Sequence, residues 1–159
     1  MKNKITIIVY AIIAILFYSC GSSDSKYFPE HFDKLELDMT LEDMYKVFPG
    51  GSTYKNQYEV NIPNVGGFTF LRANFDRSDS EKDGLLSMLY LKGRGEEHFE
   101  KLVLYTKRNL GDLSSENDRR GEKSAYWNDI VDGKRKMSIR INGSSRWSQI
   151  TWKLEIEHY

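Results

Sequence analysis

The chain has 159 residues, with 23 Lys+Arg against 23 Asp+Glu, 40% hydrophobic residues, 13% aromatics and one cysteine. That length suits one compact domain, and the apolar share excludes a wholly disordered chain. Balanced charge argues against nucleic-acid binding by bulk electrostatics, and a lone thiol excludes an internal disulfide framework or a multi-thiolate zinc site within one chain.

Lys2 and Lys4 form a short basic start, and Ile5 to Tyr18 is then apolar apart from Thr6. This run of about 14 residues is shorter than the roughly 20 a helix needs to span a bilayer. A basic start followed by a short apolar stretch is the layout of a secretory signal peptide. The stretch ends at Phe17-Tyr18-Ser19-Cys20-Gly21, with small residues on both sides of the only cysteine. The segment resembles the lipobox of bacterial lipoproteins, in a looser form familiar from Bacteroidota-type members. Gly21-Ser22-Ser23-Asp24-Ser25 is similar to their export signal after the cysteine. The resemblance implies a signal peptide over residues 1–19 and acylation of Cys20 (palmitate being one such chain), which becomes the first mature residue. Two or more acyl chains make a stable anchor, so the body would stay in water at a membrane of the cell envelope. Removing residues 1–19 takes away Lys2 and Lys4 and no acids, leaving 21 basic and 23 acidic residues.

Residues 20–34 read as the acylated cysteine and a small, polar tether, although Tyr27 to Phe32 is aromatic enough to begin touching a core. Residues 35–159 read as a single domain. Thr40 is a helix N-cap, with Asp43 completing an acidic capping box and Met39 and Met44 at the staple positions. Leu41, Met44, Val47 and Phe48 make a short apolar stripe, which Pro49-Gly50-Gly51 ends. Tyr58, Val60 and Ile62 alternate as a strand that Pro63 closes, and Asn64 to Gly67 is turn chemistry. Phe68 to Phe75 is a strand whose apolar parity changes between Phe70 and Leu71, the mark of a bulge or of two covered faces. Leu85 to Leu91 is apolar on both parities except at Ser87, which predicts a central strand covered on both sides.

A second helix is predicted from Glu96 to Leu110, with Phe99, Leu102, Val103, Thr106 and Leu110 on one face and Gly111 as its C-cap. Asp112 to Lys123 reads as a polar loop. Ala125 to Val131 is a strand leading into the hairpin signal Asp132-Gly133. Met137, Ile139 and Ile141 alternate before Asn142-Gly143, read as a further turn. Ile150, Trp152, Leu154 and Ile156 alternate with Thr151, Lys153, Glu155 and Glu157, the clearest strand in the chain. The fold class is α+β: a mainly antiparallel sheet with two helices packed on one face. The order helix-then-strands occurs twice, which allows a tandem repeat with little shared sequence.

The stretch Leu37 to Met44 with Val47 to Gly50 resembles the "Gly-Met-Thr, helix, Gly-Pro" opening of small outer-membrane-assembly lipoproteins and β-lactamase-inhibitor-like repeats, with Asp38 in place of the glycine. The resemblance implies a helix-on-sheet domain whose sheet face binds other proteins. It carries no activity across.

Chemistry is sparse. Asp79-Ser80-Glu81-Lys82-Asp83-Gly84 resembles the first half of a calcium loop, but the twelfth position is Tyr90 instead of a bidentate glutamate, so a solvated loop is the reading. His31, His98 and His158 are scattered without zinc-protease spacing. Gly93-Arg94-Gly95 precedes a helix, yet Glu96 and Glu97 would repel an anion there. Nucleophile-elbow motifs are absent. Neither a metal nor a cofactor is expected. Lys134-Arg135-Lys136 and Arg119-Arg120 lie among acids and read as solvated, with lipid or lipopolysaccharide phosphate as the sharper alternative. Trp147, of opposite parity to Trp152, marks a binding face with Arg140 and Lys153, the alternative being that it finishes the core. The expected function is a non-enzymatic, lipid-anchored domain that binds a protein or envelope component. An immunity- or inhibitor-type lipoprotein and a small hydrolase or ligand-binding lipoprotein are the alternatives.

Overall fold

Residues 23–76, 84–119, 121–144 and 149–159 are described by the computed structural model. Cys20, the calcium-like string up to Asp83, Arg120 and Trp147 lie outside them. The alternating segments pair into one sheet. Its strands are β1 (Ser52–Tyr54), β2 (Gln57–Val65), β3 (Phe68–Phe75), β4 (Leu86–Gly93), β5 (Ser115–Arg119), β6 (Glu122–Asp132), β7 (Arg135–Gly143) and β8 (Ile150–His158). The order is β1-β2-β3-β4-β8-β7-β6-β5, and every neighbouring pair is antiparallel. Two four-strand meanders therefore meet in the middle, where their last strands, β4 and β8, pair with each other. Helix α1 (Leu41–Val47) precedes the first meander and α2 (Glu96–Leu110) the second. The molecule is an α+β fold built on a large antiparallel sheet.

Parity decides which side of each strand enters the core. In β8, Ile150, Trp152, Leu154 and Ile156 are buried while Glu155 and Glu157 are exposed. Register then aligns such residues across strands. Leu91, Trp152, Ile141 and Ala125 are successive partners, as are Leu89, Leu154, Ile139 and Trp127. Burying one such large apolar side chain contributes roughly 1.5–3 kcal/mol, so these two rows are a main source of stability. Met44 of α1 and Phe99 and Leu102 of α2 belong to the same core.

The capping box at α1 is present: the Asp43 amide donates to the Thr40 hydroxyl at 3.3 Å, and the Thr40 amide to the Asp43 carboxylate at 3.2 Å. The Thr40 hydroxyl and amide bonds, then Lys46, hold the Asp43 carboxyl below its ordinary range. Helix α2 keeps the predicted limits. Glu96 and Glu97 lie in its first turn, Lys107 and Arg108 in its last, and Gly111 at φ 85° donates to the Lys107 carbonyl.

Several expectations need correction. The body begins before residue 35: Ser23–Tyr27 is a 3₁₀ helix, and Tyr27, Phe28 and Phe32 are buried. The Phe28 ring lies 6.4 Å from Trp152, and the Asp24 carboxylate accepts from the Leu37 amide at 3.0 Å. The loop Asp112 to Lys123 contains β5, and β1 was also unforeseen; all residues of both edge strands are exposed, so neither shows alternation. Asn142-Gly143 is no turn, since both residues pair with β8. Strand β2 continues through Pro63, because the ladder to β3 is interrupted between Asn61 and Val65 and no paired amide is needed there. In β3 the register shifts between Phe68 and Phe70, the bulge that its parity change requires. In β4, Leu86, Leu89 and Leu91 are buried, whereas Met88 and Tyr90 are only half-buried. The mixed parity of β4 comes from a register shift opposite Asn74 and Phe75, in place of a second covering layer.

Candidate binding face of the sheet

The parity that does not enter the core forms a polar face. Its central row runs Glu59, Arg72, Tyr90, Lys153, Arg140, Tyr126 through six consecutive strands, each residue the register partner of the next. A second row, Asn61, Phe70, Lys92, Thr151, Asn142, Ser124, crosses the same strands beside it. The strands of each row come from both meanders, so neither meander alone contains it.

Two of the residues expected to mark a binding face, Arg140 and Lys153, are direct partners in this row. Arg140 is exposed and Lys153 half-buried. The third, Trp147, lies outside the described residues. Glu59, Arg72, Tyr90 and Tyr126, which complete the row, were not singled out from the sequence. Alternation assigns them to the outer face, but only register makes them neighbours.

The row is organised by guanidinium–aromatic contacts. The Arg72 guanidinium lies 5.9 Å from the Phe70 ring centre and 6.0 Å from that of Tyr90. That of Arg140 lies 5.0 Å from Tyr126. Such contacts contribute about 0.5–1 kcal/mol at exposed positions, enough to orient a long side chain but not to hold the fold. The Arg72 Nε donates to Glu59 at 2.6 Å, and Lys153 pairs with Glu155 at 2.6 Å. The Arg140 Nε donates to the Asn142 side-chain Oδ1 at 2.7 Å; that oxygen also accepts from the Ser124 hydroxyl at 3.0 Å, while the Asn142 Nδ2 donates to the Thr151 hydroxyl at 3.1 Å. Burial pushes the Tyr90 hydroxyl above its ordinary range, so it stays neutral, and it accepts from Gln149 at 3.4 Å.

Other motifs resolve into internal contacts. In the basic triplet, Arg135 faces Asp24 and Asp38 at 3.7 and 3.4 Å, and Lys136 pairs with Asp129 at 2.6 Å. The triplet thus helps fasten the N-terminal segment to β7. His158 meets the Leu86 carbonyl at 3.1 Å, and His31 is exposed. His98 is half-buried, with its ring set edge-on to Phe68 at 4.7 Å. It borders a cavity of about 420 Å³ that His31, Gly66, Gly67 and Lys101 also line. Burial, then Lys101, lowers its pKa, so the ring is held neutral. Its Nε2 is buried without a hydrogen-bond partner among the described residues. Among the described residues no three His, Cys, Asp or Glu side chains group so as to hold a metal ion, and no helix is long and apolar enough to cross a membrane.

Compared with known protein families, curated proteins and solved structures, the chain matches none.

Proposed function

We propose that this chain is a lipid-anchored lipoprotein of the cell envelope whose polar sheet face binds another protein or envelope component without catalysing a reaction. The observation that carries the binding reading is the row from Arg72 to Tyr126, in which cations and aromatic rings from five adjacent strands share one surface. Aromatic and arginine side chains are the types that dominate binding energy at protein interfaces. The anchor reading rests on the basic start, the short apolar stretch and Cys20 at its end. In this arrangement α1 and α2 cover the same side of the sheet and leave the polar side to the partner. The burial of Met44, Phe99 and Leu102 in one core with the inward strand residues supports that placement. Helix and meander, twice over, with β4 against β8 at the centre, is the pattern a tandem duplication gives, and the binding row is then built from both copies.

The anchor is tested by metabolic labelling with palmitate: the wild-type chain takes up label and Cys20→Ala does not. The face is tested by recovering bound proteins from mildly solubilised membranes. Lys153→Glu removes the partner if this face is the site, and unchanged recovery argues against it.

A further inference from the structure

Two hollows adjoin at one end of the polar face. One, of about 400 Å³, lies over β3 and β4 and is lined by Phe70, Arg72, Tyr90, Lys92 and Arg94. The other, of about 310 Å³, lies over β6, β7 and β8 and includes Arg140, Asn142, Gln149 and Thr151. Gln149 joins them, because it lines the second and donates to Tyr90 of the first. Adjacent strands are about 4.8 Å apart, so the stretch from β3 to β6 is roughly 19 Å, the span of about six extended residues.

Among the described residues no carboxylate lines the first hollow, and Glu122 is the one carboxylate that lines the second. Among the described residues neither Lys92 nor Arg94 makes an ion pair, and both are exposed. Arg140 is held in place through its Nε by Asn142, which Ser124 and Thr151 fix in turn. A cation held in this way loses little side-chain freedom on binding. Guanidinium groups lie over the rings of Phe70, Tyr90 and Tyr126 and compete there with the stacking of sugar rings. Glu59 and Glu155 lie beside Arg72 and Lys153. Arg72 and Lys153 are thus already paired, which leaves Lys92, Arg94 and Arg140 to meet an incoming anion.

We infer that this trough docks an extended acidic segment of a protein partner, with Lys92, Arg94 and Arg140 reading its carboxylates. The inference rests on the binding reading of the sheet face and adds the chemistry of the partner. The test is fluorescence anisotropy of a fluorescein-labelled hexaglutamate peptide titrated with the full chain in non-ionic detergent, with hexaglutamine as the uncharged probe. The wild type binds hexaglutamate more tightly than hexaglutamine. The pair Lys92→Glu and Arg94→Glu weakens hexaglutamate binding about tenfold or more, as does Arg140→Glu, while the equal charge change Lys101→Glu with Lys107→Glu on α2 stays within about twofold. Circular dichroism melts of each variant separate lost binding from lost fold. Absence of hexaglutamate binding, equal weakening in the α2 variant, or displacement of the peptide by tripolyphosphate at a lower charge concentration than by free hexaglutamate overturns the inference. Hexaglutamate binding by a wild-type chain that takes up no palmitate removes the anchor reading and leaves this one standing.

Discussion

The two faces of the sheet use the same strands for different ends. On the inner face, the six strands other than β1 and β5 contribute residues that bury against whatever apolar group lies opposite, and Trp152, Leu154 and Ile139 gain stability from area alone. On the outer face, Arg72, Lys153 and Arg140 gain little from area and depend on which neighbour the register supplies. Stability therefore belongs to parity, and the recognition proposed for the outer face to register. Changes on the inner face should cost folding free energy, and changes on the outer face should cost binding at nearly constant stability.

The sharpest break of that contrast is Trp152→Ala. Trp152 is 1% exposed and packs on Phe28, so its truncation costs about 3–5 kcal/mol, read as a large fall in the urea midpoint. A smaller loss, about 1 kcal/mol, is expected for Thr40→Ala, which removes the hydroxyl that caps α1; urea unfolding measures it, and restoration by Thr40→Ser identifies the cap as the cause.

His98 probes the edge of the inner face. Its folded-state pKa lies below the ordinary value, so on acidification the unfolded chain takes up the proton before the native state does. Stability is then complete above the ordinary histidine value and falls as the pH drops through it toward the folded value. Between pH 7.5 and 5.5 the urea midpoint of the wild type declines more than that of His98→Phe, which keeps an edge-on ring against Phe68 and has no buried Nε2. Parallel pH curves for the two proteins would remove the role given to this burial. The smallest stability effect belongs to Arg140→Gln, within about 0.5 kcal/mol, because its contacts are exposed and local. Paired with a loss of partner recovery, that result is the outer-face signature; a midpoint fall comparable to that of Thr40→Ala would contradict it.

Long, one-sided elements were legible in the residues. Helix α2 shows a full amphipathic stripe, charged ends suited to its dipole and a closing glycine, and its limits follow from these. Strand β8 alternates without interruption because one side meets the core and the other solvent. Strands β1 and β5 escaped notice for the opposite reason: at the sheet edges both their sides are exposed, and nothing selects for alternation. The apolar mixture in β4 suggested a second layer, when a local register shift was its source. Of the proposed binding row, Arg140 and Lys153 were found because they occupy outward positions within the clearly alternating strands β7 and β8. Arg72, Tyr90 and Tyr126 were not, since their significance lies in partners far away in the chain.

The amino-acid sequence by itself determined where the main helices and strands lie and which side of each strand is turned inward, because burial acts residue by residue along a chain of fixed period. Tertiary structure decided that β4 pairs with β8, and so which outward residues stand together. Backbone hydrogen bonds are alike for every side chain, so strand partnership is selected only when all the apolar faces pack at once.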